Sequence, residues 1–512
     1  MQEISLKPRE YQQKIFETAR DRNTLVVLPT GLGKTLIALM LSIERLKKYP
    51  GKKILILAPT RPLVEQHINS FKKQLPELFA DLQLFTGEVA AAKRKKTFFT
   101  ADVIFSTPQC IANDLKANLY KMEDVSLLVI DEAHRCLKNY DYTTVVEFYK
   151  RQGSNYRILG LTASPGSEAD NVREICKHLD TEEIEVRTRD SEDVKNYLQK
   201  LDYEKIEVPF PPEFLEMKVL LKRIYDSKIG ELRARNLLFG PGNKITLLKL
   251  QSRLGNMVGE KNFNAMLGMS ATAQAIKISH AMELLETQTL SGLNEYLKGL
   301  VKQSDEKKSK GVQKLVSSPE FKAVLISLNH LLLKEMEHPK VEETAVLVEE
   351  EFKQNKEARI IIFTQYRETA TKIVERLNKS NFVKANTFFG QAKKGNTGFS
   401  QKEQKQIIEN LKEGKLNVIV ATSIGEEGLD IAEVNVVIFY EPIPSAIRKI
   451  QRAGRTARLK AGKLVILVTK DTRDEINHYA SSAREKKMHK VIDLVRKEIK
   501  DGRKDMKLGS FG

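Results

Sequence analysis

The amino-acid sequence predicts an α/β protein with two doubly wound parallel-sheet units and a helical domain inserted between them. Short apolar runs rich in β-branched residues alternate with amphipathic stretches near both ends of the chain, as in βαβ units. The middle has helical spacing and few strand candidates. The length of 512 residues exceeds one ordinary hydrophobic core. The predicted boundaries are 1–208 for the first sheet unit, 209–340 for the insert, 341–480 for the second sheet unit, and 481–512 for a basic helix and tail.

Five strands are predicted in the first sheet unit, and none shows the polar alternation of a half-exposed strand. They lie in the segments TLVVLPT, KILILAPT, DVIFSTP, SLLVIDE and RILGLTAS. Helices cover both faces of a parallel sheet, so continuous apolar runs are typical of its strands. Segments such as TLIALMLSIERLKKY and PLVEQHINSFKKQL carry apolar residues at helical spacing between those strands.

The predicted helical insert begins after PFPPEF, residues Pro209 to Phe214, where prolines interrupt the chain. The segments that follow carry apolar residues at steps of three and four, which predicts helices with a buried stripe. Several basic residues lie among these helices, namely Lys222, Arg223, Arg233 and Arg235. These cations could contact a polyanion or face only water, and the sequence leaves both interpretations open.

The alternation of strands and helices resumes after Pro339 and predicts the second sheet unit. Its strand candidates are ARIIIFTQY, FVKANTFFG, LNVIVATS, VNVVIFYEP and KLVILVT. Within this unit, Ser400 and Glu403 have the spacing of a capping box, which predicts a helix start. The final segment, REKKMHKVIDLVRKEIKDGRKDMK, predicts a basic amphipathic helix followed by a loose tail.

The net charge of +18 favours a polyanionic partner, because a surplus of this size promotes fast, salt-sensitive association with nucleic acids. Solubility alone, or the lysine- and glutamate-rich surface of a thermophilic protein, would explain the same surplus. Charge by itself is therefore only a first indication of a nucleic-acid partner.

The composition indicates a folded intracellular protein. No apolar run approaches the roughly 20 residues of a membrane span, and the N-terminal segment MQEISLKPREYQQK has no signal-peptide pattern. We therefore expect a soluble protein with no membrane partner, cytoplasmic or nucleoid-associated if the source is prokaryotic or archaeal. Cys110, Cys136 and Cys176 are widely spaced, which indicates buried thiols rather than a metal site.

A phosphate-binding loop is predicted directly after the first strand. The segment TGLGKT consists of Thr30, Gly31, Leu32, Gly33, Lys34 and Thr35 and leads into a helical pattern. Its glycines let backbone N–H groups turn towards a phosphate, and the helix N-terminus adds its dipole. Lys34 would reach the β- and γ-phosphates of ATP, and the Thr35 hydroxyl would bind Mg²⁺. The motif departs from its usual form at Leu28, where a glycine is expected.

Two acidic residues complete the predicted ATP site. In LLVIDEAHRC, residues 127–136, Asp131 ends a buried strand and Glu132 follows it. Asp131 would hold Mg²⁺ through water as the acidic partner of the loop. Glu132 would orient or deprotonate the attacking water. A helix N-terminus stabilised by acidic residues would explain the same pair, but a phosphate loop in the same unit favours ATP hydrolysis.

The order of these motifs resembles that of the superfamily 2 helicases, whose second motif is DEAH. The matching residues of the first unit are Gln12 for adenine reading, Thr60, Arg61 and Thr107 for nucleic-acid contact, and His134, Thr162 and Ser164 for coupling the two sites. They lie in the segments PREYQ, APTRP, STPQ, DEAH and TAS. The roles are those that the resemblance implies.

The contacts at Thr60 and Thr107 also have a physical basis. Each threonine follows a strand and precedes a helix with a proline in its first turn, a pattern typical of an N-cap. Both helix N-termini would open at the carboxyl edge of the sheet and present N–H groups to phosphates. An ordinary N-cap that binds no ligand would explain the presence of either threonine taken singly.

The second unit completes the resemblance. Thr364, Gln365, Thr422 and Ser423 match nucleic-acid contacts, Asp430 matches a nucleotide contact, and Gln451 matches a coupling residue. The last motif, QRAGRTAR, has Ala457 where glycine is common. The resemblance implies two RecA-like domains with ATP between them, and it makes Arg455 and Arg458 arginine fingers on the γ-phosphate. Such a finger contributes about 10³–10⁵ in rate.

The helical insert and Arg135, directly after DEAH, resemble one clade of these helicases. The clade contains archaeal Hef, the Fanconi-anaemia M-type translocases, and the RIG-I-like and Dicer helicases. The lysine- and glutamate-rich composition and the compact length look closest to the Hef helicase region. The resemblance implies ATP-driven translocation on branched DNA, such as stalled forks and four-way junctions, in DNA repair, with the insert gripping the duplex. Hef carries a nuclease, so a nuclease module or partner is expected, although no ERKxxxD-like signature occurs here.

Two alternative functions remain open. One is a double-stranded-RNA-directed ATPase of the RIG-I or Dicer type, because recognition of 2′-hydroxyl groups leaves no legible pattern. The other is a nucleic-acid-binding scaffold that does not hydrolyse ATP. The predicted catalytic residues are Lys34, Asp131, Glu132, Arg455 and Arg458. A complete catalytic set argues against the scaffold.

Overall fold

The computed structural model describes residues 6–76, 78–197, 201–258, 262–390, 398–422, 434–443, 445 and 462–508. These residues form two parallel sheets, of seven and six strands, with a helical domain between them in the chain. The predicted fold class is therefore confirmed. The three cysteines are buried free thiols, as predicted. Within these ranges, no helix has the length and apolar character that crossing a bilayer requires.

The first sheet consists of β1 Thr24–Val27, β2 Lys53–Leu57, β3 Leu82–Phe85, β4 Val103–Ser106, β5 Val125–Asp131, β6 Ile158–Thr162 and β7 Glu183–Val186. The strand order is β3-β4-β2-β5-β6-β1-β7, and all paired strands are parallel. The helices are α1 Glu10–Asp21, α2 Lys34–Lys48, α3 Arg61–Gln74, α4 Ala91–Thr100, α5 Pro108–Lys116, α6 Asp141–Gln152, α7 Ala169–His178 and α8 Glu192–Lys195. Leu128 and Ile130 of β5 enter one core, and Leu127 and Val129 enter the other. Burial on both faces explains the continuous apolar runs.

The second sheet consists of β8 Leu201–Val208, β9 Ile360–Phe363, β10 Ala385–Phe388, β11 Val418–Ala421, β12 Val436–Phe439 and β13 Gly462–Thr469. Its order is β10-β11-β9-β12-β13-β8, and its paired strands are also parallel. The helices α15 Pro339–Gln354, α16 Arg367–Leu377 and α17 Gln401–Lys412 accompany it. Ser400 and Glu403 form the predicted capping box at the start of α17.

The three strands that the sequence prediction missed, β3, β7 and β8, all lie at sheet edges. An edge strand pairs on one side only and tolerates polar side chains. The segments EIEV of β7 and LDYEKIEV of β8 accordingly alternate charged and apolar residues. The apolar patterns of these edge strands are therefore weaker than the continuous apolar runs of the central strands.

The predicted boundary at residue 208 is wrong, because β8 belongs to the second sheet. All eight residues of β8 pair in parallel with β13, from Leu201 opposite Gly462 to Val208 opposite Thr469. The chain thus enters the second unit before the helical domain begins. Pairing between segments so distant in sequence leaves no local signal in either of them.

The helical domain lies within the predicted range 209–340. It consists of α9 Pro212–Ala234, α10 Lys244–Val258, α11 Phe263–Thr287, α12 Leu290–Asp305, α13 Lys310–Val316 and α14 Pro319–Leu333. Its buried apolar residues form two clusters, one of which joins α9, α11, α12 and α14. The next helix, α15, packs into the second-unit core through Val341, Ala345 and Val348. The domain therefore ends with α14.

The C-terminal helix does not form the separate segment 481–512 that was predicted. This helix, α18 Arg473–Leu508, follows β13 directly and crosses from the second unit to the first. Its residues Met488, Val491, Ile492 and Val495 are buried in a core of the first sheet. The basic pattern showed that a helix forms, but the packing partner of its apolar stripe is decided by the tertiary structure.

Candidate nucleotide and nucleic-acid site

The segment predicted to bind phosphate lies between β1 and α2. Gly31 has a φ of +84° and Gly33 a φ of +76°, a left-handed conformation that favours glycine. A Cβ atom at Gly33 would overlap the side-chain nitrogen of Gln12. Both the backbone conformation and this close approach therefore require glycine at position 33.

Lys34 begins α2 and points back over the loop. Its Nζ donates to the backbone carbonyl of Leu28 at 2.9 Å. The leucine in place of glycine is accommodated, because its N–H still pairs with the Thr162 carbonyl at 2.9 Å and its side chain is buried in a core. The Thr30 hydroxyl is buried without a hydrogen-bond partner among the described residues. A cation, an unsatisfied hydroxyl and the start of α2 at Lys34–Thr35 make a cradle that fits phosphate.

Gln12 contacts the loop rather than standing apart from it. Its Oε1 accepts from the Arg9 N–H at 2.8 Å, and its Nε2 donates to the Leu32 carbonyl at 3.1 Å. The hydroxyl of Tyr11 donates to the same carbonyl at 2.9 Å. Tyr11 is a loop-supporting residue that the sequence analysis missed, although it adjoins the glutamine in PREYQ.

Asp131 lies at the carboxyl end of β5, and its two oxygens are held in different ways. The Glu132 N–H donates to Oδ1 at 3.0 Å, and Nε2 of His67 on α3 donates to Oδ2 at 2.8 Å. Burial by itself would raise the pKa of Asp131, but His67 and then Lys34 outweigh it and lower the pKa. Asp131 is therefore held as a carboxylate, the form that binds a divalent cation. His67 was missed because no motif pattern pointed to it.

Glu132 has a left-handed backbone, with a φ of +50°, between β5 and the short 3₁₀ helix Ala133–Arg135. A non-glycine residue in this region is strained, and such residues concentrate at functional sites. One carboxylate oxygen lies 3.3 Å from His134 Nδ1, which lies 3.2 Å from the Thr162 hydroxyl. The Thr162 hydroxyl in turn accepts from the Ser164 N–H at 3.1 Å. The structure thus brings the three predicted coupling residues of this unit into one chain of contacts with Glu132.

The chain of contacts continues to α18. The fully buried Ser164 hydroxyl donates to the sulfur of Met488 at 2.8 Å. Around this contact, exposed ion pairs fasten α18 to the first unit, including Arg173 with Glu498 at 2.8 Å and Lys487 with Glu168 at 2.9 Å. The helix that leaves the second unit therefore contacts the coupling motif of the first.

The predicted N-caps at Thr60 and Thr107 are confirmed in position. Thr60 precedes α3 and Thr107 precedes α5, each with a proline in the first turn, but neither side chain makes a capping hydrogen bond. The Thr60 hydroxyl is buried without a partner among the described residues. Arg61 pairs with Glu65 at 2.8 Å and with Glu88. Both helix N-termini open at the carboxyl edge of the sheet, as predicted.

The prediction that Thr364 touches nucleic acid is not supported by its position. Thr364 is fully buried, and its hydroxyl donates to Glu441 at 3.1 Å or Gln288 at 3.4 Å. Gln288 follows α11 of the helical domain, which covers the end of β9. The side chain of Thr422 is also buried, whereas Gln365 is exposed. Thr364 therefore belongs to the junction between the helical domain and the second unit.

Five predicted residues lie outside the described ranges. They are Ser423, Asp430, Gln451, Arg455 and Arg458. Their nucleotide, nucleic-acid and arginine-finger roles stay predictions from the resemblance.

Three family profiles cover most of the chain. The DEAD/DEAH box helicase profile matches residues 9–172, and the helicase conserved C-terminal domain profile matches residues 342–460. A helical-bundle profile described for ATP-dependent RNA helicases matches residues 213–335. The profiles thus follow the three structural parts in chain order.

The chain is also similar to individual proteins. The crystal structure of the Pyrococcus furiosus Hef helicase domain matches with a TM-score of 0.70 and 41% identity, over 93% of this chain and 98% of that one. A Methanocaldococcus jannaschii protein named as an ATP-dependent RNA helicase is 38% identical over 95% of this chain and 61% of its own length. The ATP-dependent DNA helicase mph1 of Neurospora crassa is 33% identical over 91% of this chain.

The chain spans 61% of the M. jannaschii relative and 41% of mph1, so these curated relatives are considerably longer. Its match to the Hef helicase domain, by contrast, covers nearly all of that structure. The phosphate loop, the DEAH motif and the helical insert occur in the same order as the matched family profiles. The chain therefore belongs to the superfamily 2 helicases of the DEAD/DEAH-box type, in the group that includes the Hef helicase domain.

Proposed function

We propose that the protein is an ATP-dependent helicase or translocase that acts on branched DNA, such as stalled forks and four-way junctions, in DNA repair. The observation that supports it best is the pairing of a glycine-dependent phosphate cradle with the Asp131–Glu132 pair at the same edge of the first sheet. The His67 contact, and after it the Lys34 charge, lower the pKa of Asp131, in keeping with a carboxylate beside the cation of the loop. With DNA as the proposed substrate, we propose a location inside the cell, with the nucleoid in a prokaryote or archaeon.

The chain's own residues supply the hydrolytic groups. Lys34 stabilises the negative charge that develops on the β- and γ-phosphates. Glu132 orients the attacking water and accepts its proton, and His134 holds the glutamate beside Thr162. Thr35 and Asp131 would hold Mg²⁺, which when bound neutralises phosphate charge.

The second unit is proposed to complete the site. Arg455 and Arg458 would stabilise the γ-phosphate when the two sheet units close. Asp430 would contact the nucleotide, and Gln451 would couple closure to hydrolysis. Ser164 gives the first unit a matching coupling residue, because its N–H donates to the Thr162 hydroxyl and its own hydroxyl donates to Met488 of α18.

The proposed nucleic-acid path runs along the N-termini of α3 and α5. Thr60 and Thr107 would present backbone N–H groups to phosphates, and Arg61 would add charge. Gln365 and Ser423 would extend the path on the second unit. Arg61 pairs with two glutamates, so a phosphate would compete with these carboxylates for the guanidinium group.

A double-stranded RNA substrate is the second candidate. The M. jannaschii relative and the helical-bundle profile carry RNA helicase names, whereas mph1 carries a DNA helicase name. The resemblance to the Hef group favours DNA. By the resemblance to Hef, a nuclease module or partner is proposed to act on the remodelled product.

The test measures phosphate release and strand separation by the full chain on a fork, a flap, a four-way junction and an RNA duplex. We expect forked and four-way DNA to stimulate hydrolysis most, and Lys34→Ala to reduce stimulated hydrolysis about 100-fold or more. Lys48→Ala, at the far end of the same helix, is the matched control. If only the RNA duplex stimulates hydrolysis, the proposed substrate is RNA and not DNA. If Lys34→Ala retains stimulated ATP hydrolysis, the proposed ATP site is refuted.

A further inference from the structure

His67 is a buried histidine whose position links the candidate ATP site to the candidate nucleic-acid contact. It lies in the second turn of α3 and is 5% exposed. Its Nε2 donates to Asp131 Oδ2 at 2.8 Å. The other ring nitrogen, Nδ1, is buried and has no hydrogen-bond partner among the described residues. Burying a polar nitrogen without a partner is costly, so the contact with Asp131 is what holds this ring in place.

The same helix reaches two other parts of the candidate machinery. Arg61, its first residue, is the candidate phosphate contact. Glu65, one turn later, accepts from Lys405 of α17 at 2.9 Å and so connects to the second sheet unit. Arg61 and His67 are separated by about 9 Å along the helix axis, at a rise of about 1.5 Å per residue. A helix this short moves as one piece, so a displacement at its start is carried to His67.

We infer that His67 is a positioning residue through which nucleic acid bound at the start of α3 orients Asp131 and changes the affinity for Mg²⁺–nucleotide. The inference rests on the proposed function. When a phosphate displaces Glu88, which lies outside α3, from Arg61, α3 shifts and the Nε2 donor shifts with it. Asp131 follows, because its other oxygen is tied only to the adjacent Glu132 N–H in the described part of the chain. Linkage requires that nucleotide alter the affinity for nucleic acid by the same factor.

The test uses the full chain, a forked DNA and a fluorescent ADP analogue with Mg²⁺. The quantity compared is the ratio of nucleotide Kd values without and with fork DNA. We expect a wild-type ratio that differs from one by about 5-fold or more, the usual range of coupling between sites. His67→Phe keeps a ring but removes the donor, and its ratio should lie within about twofold of one. His67→Gln, whose amide can donate, should restore part of the coupling.

Two further measurements distinguish a positioning role of His67 from a purely structural role in packing. Nucleotide binding without Mg²⁺ and fork binding without nucleotide should stay within about twofold of wild type in His67→Phe. His178→Phe, at a histidine on α7 that pairs with Glu174 at 3.5 Å, is the matched control and should keep the wild-type ratio. If His67→Phe does not fold, as judged by its melting temperature, His67→Leu provides the same comparison.

The outcomes distinguish the two proposals. A folded His67→Phe protein with the wild-type ratio overturns the inference, and so does a wild-type ratio of one with intact Mg²⁺–nucleotide binding. In both cases the proposed ATP site stands. A wild-type protein that does not bind Mg²⁺–nucleotide at all overturns the proposed function together with the inference.

Discussion

The second sheet unit meets the helical domain and the first sheet unit in two different ways. Towards the helical domain the contact is buried and polar. Gln288, 1% exposed, accepts from Thr369 at 2.9 Å, and the buried His338 ring lies 3.3 Å from the Glu286 carbonyl. Next to this contact, but within the second unit, Lys340 of α15 and Asp474 of α18 form an ion pair at 2.6 Å with both side chains essentially inaccessible to water.

Towards the first sheet unit the contacts are of another kind. Lys405 reaches Glu65 at 2.9 Å, but the lysine side chain is 61% exposed. The other connection is α18, which is anchored at Asp474 in the second unit and at Met488 in the first. Buried pairs hold a geometry tightly, whereas exposed pairs are screened and weak. The second unit is therefore joined to the helical domain by buried polar contacts, and to the first unit by an exposed ion pair and by α18, whose apolar residues are buried in the first unit.

The largest effect on stability is expected from Lys340→Met. The substitution leaves Asp474 buried without its cation, which should cost about 3–5 kcal/mol of unfolding free energy. The double variant Lys340→Met with Asp474→Leu replaces the pair by apolar groups and should recover most of the loss. Chemical denaturation followed by fluorescence and circular dichroism measures both. A single variant within about 1 kcal/mol of wild type would show that the buried pair does not stabilise the second unit.

A pH-dependent effect of intermediate size is expected from His338. Burial, and then the nearby Lys340 charge, lower its pKa well below 6.5. The folded protein therefore keeps this ring neutral, while the unfolded chain takes up a proton as the pH falls through 6.5. The neutral ring contributes fully to the unfolding free energy above pH 6.5. Below that pH the contribution decreases by at most about 1.4 kcal/mol for each pH unit.

Melting temperatures of wild type and His338→Gln between about pH 7.5 and about pH 5.5 measure this contribution. The wild-type curve should fall more steeply than that of the variant. Parallel curves would assign the acid sensitivity to other groups. They would also argue against a buried contact between His338 and the helical domain.

The smallest effect is expected from Lys405→Ala. Because the pair with Glu65 is exposed, its loss should change the unfolding free energy by less than about 1 kcal/mol. Lys402→Ala, on the same helix without a described partner in the first unit, is the matched control. A loss of several kcal/mol would show that the two sheet units are joined as firmly as the helical domain and second unit.

Local patterns were sufficient for the central strands and the phosphate loop. Each central strand is buried on both faces, so its apolar run is long and continuous, and the glycines at 31 and 33 are required by local backbone geometry. The N-cap positions of Thr60 and Thr107 also follow from neighbouring residues. The predicted boundary at 208 was wrong because β8 pairs with the distant β13, and the contact that buries Thr364 comes from Gln288, which is also distant in the chain.

The fold class, the order of the three parts and the positions of the ATP-site motifs could be predicted, since they depend on residues close together in the chain. Three contacts could not be predicted, namely His67 with Asp131, Met488 with Ser164 across 324 residues, and β8 with β13 in the second sheet. Each of these contacts has one partner on a segment whose own pattern is satisfied by ordinary helix or edge-strand packing. Which side chain then meets which is settled by how the units pack.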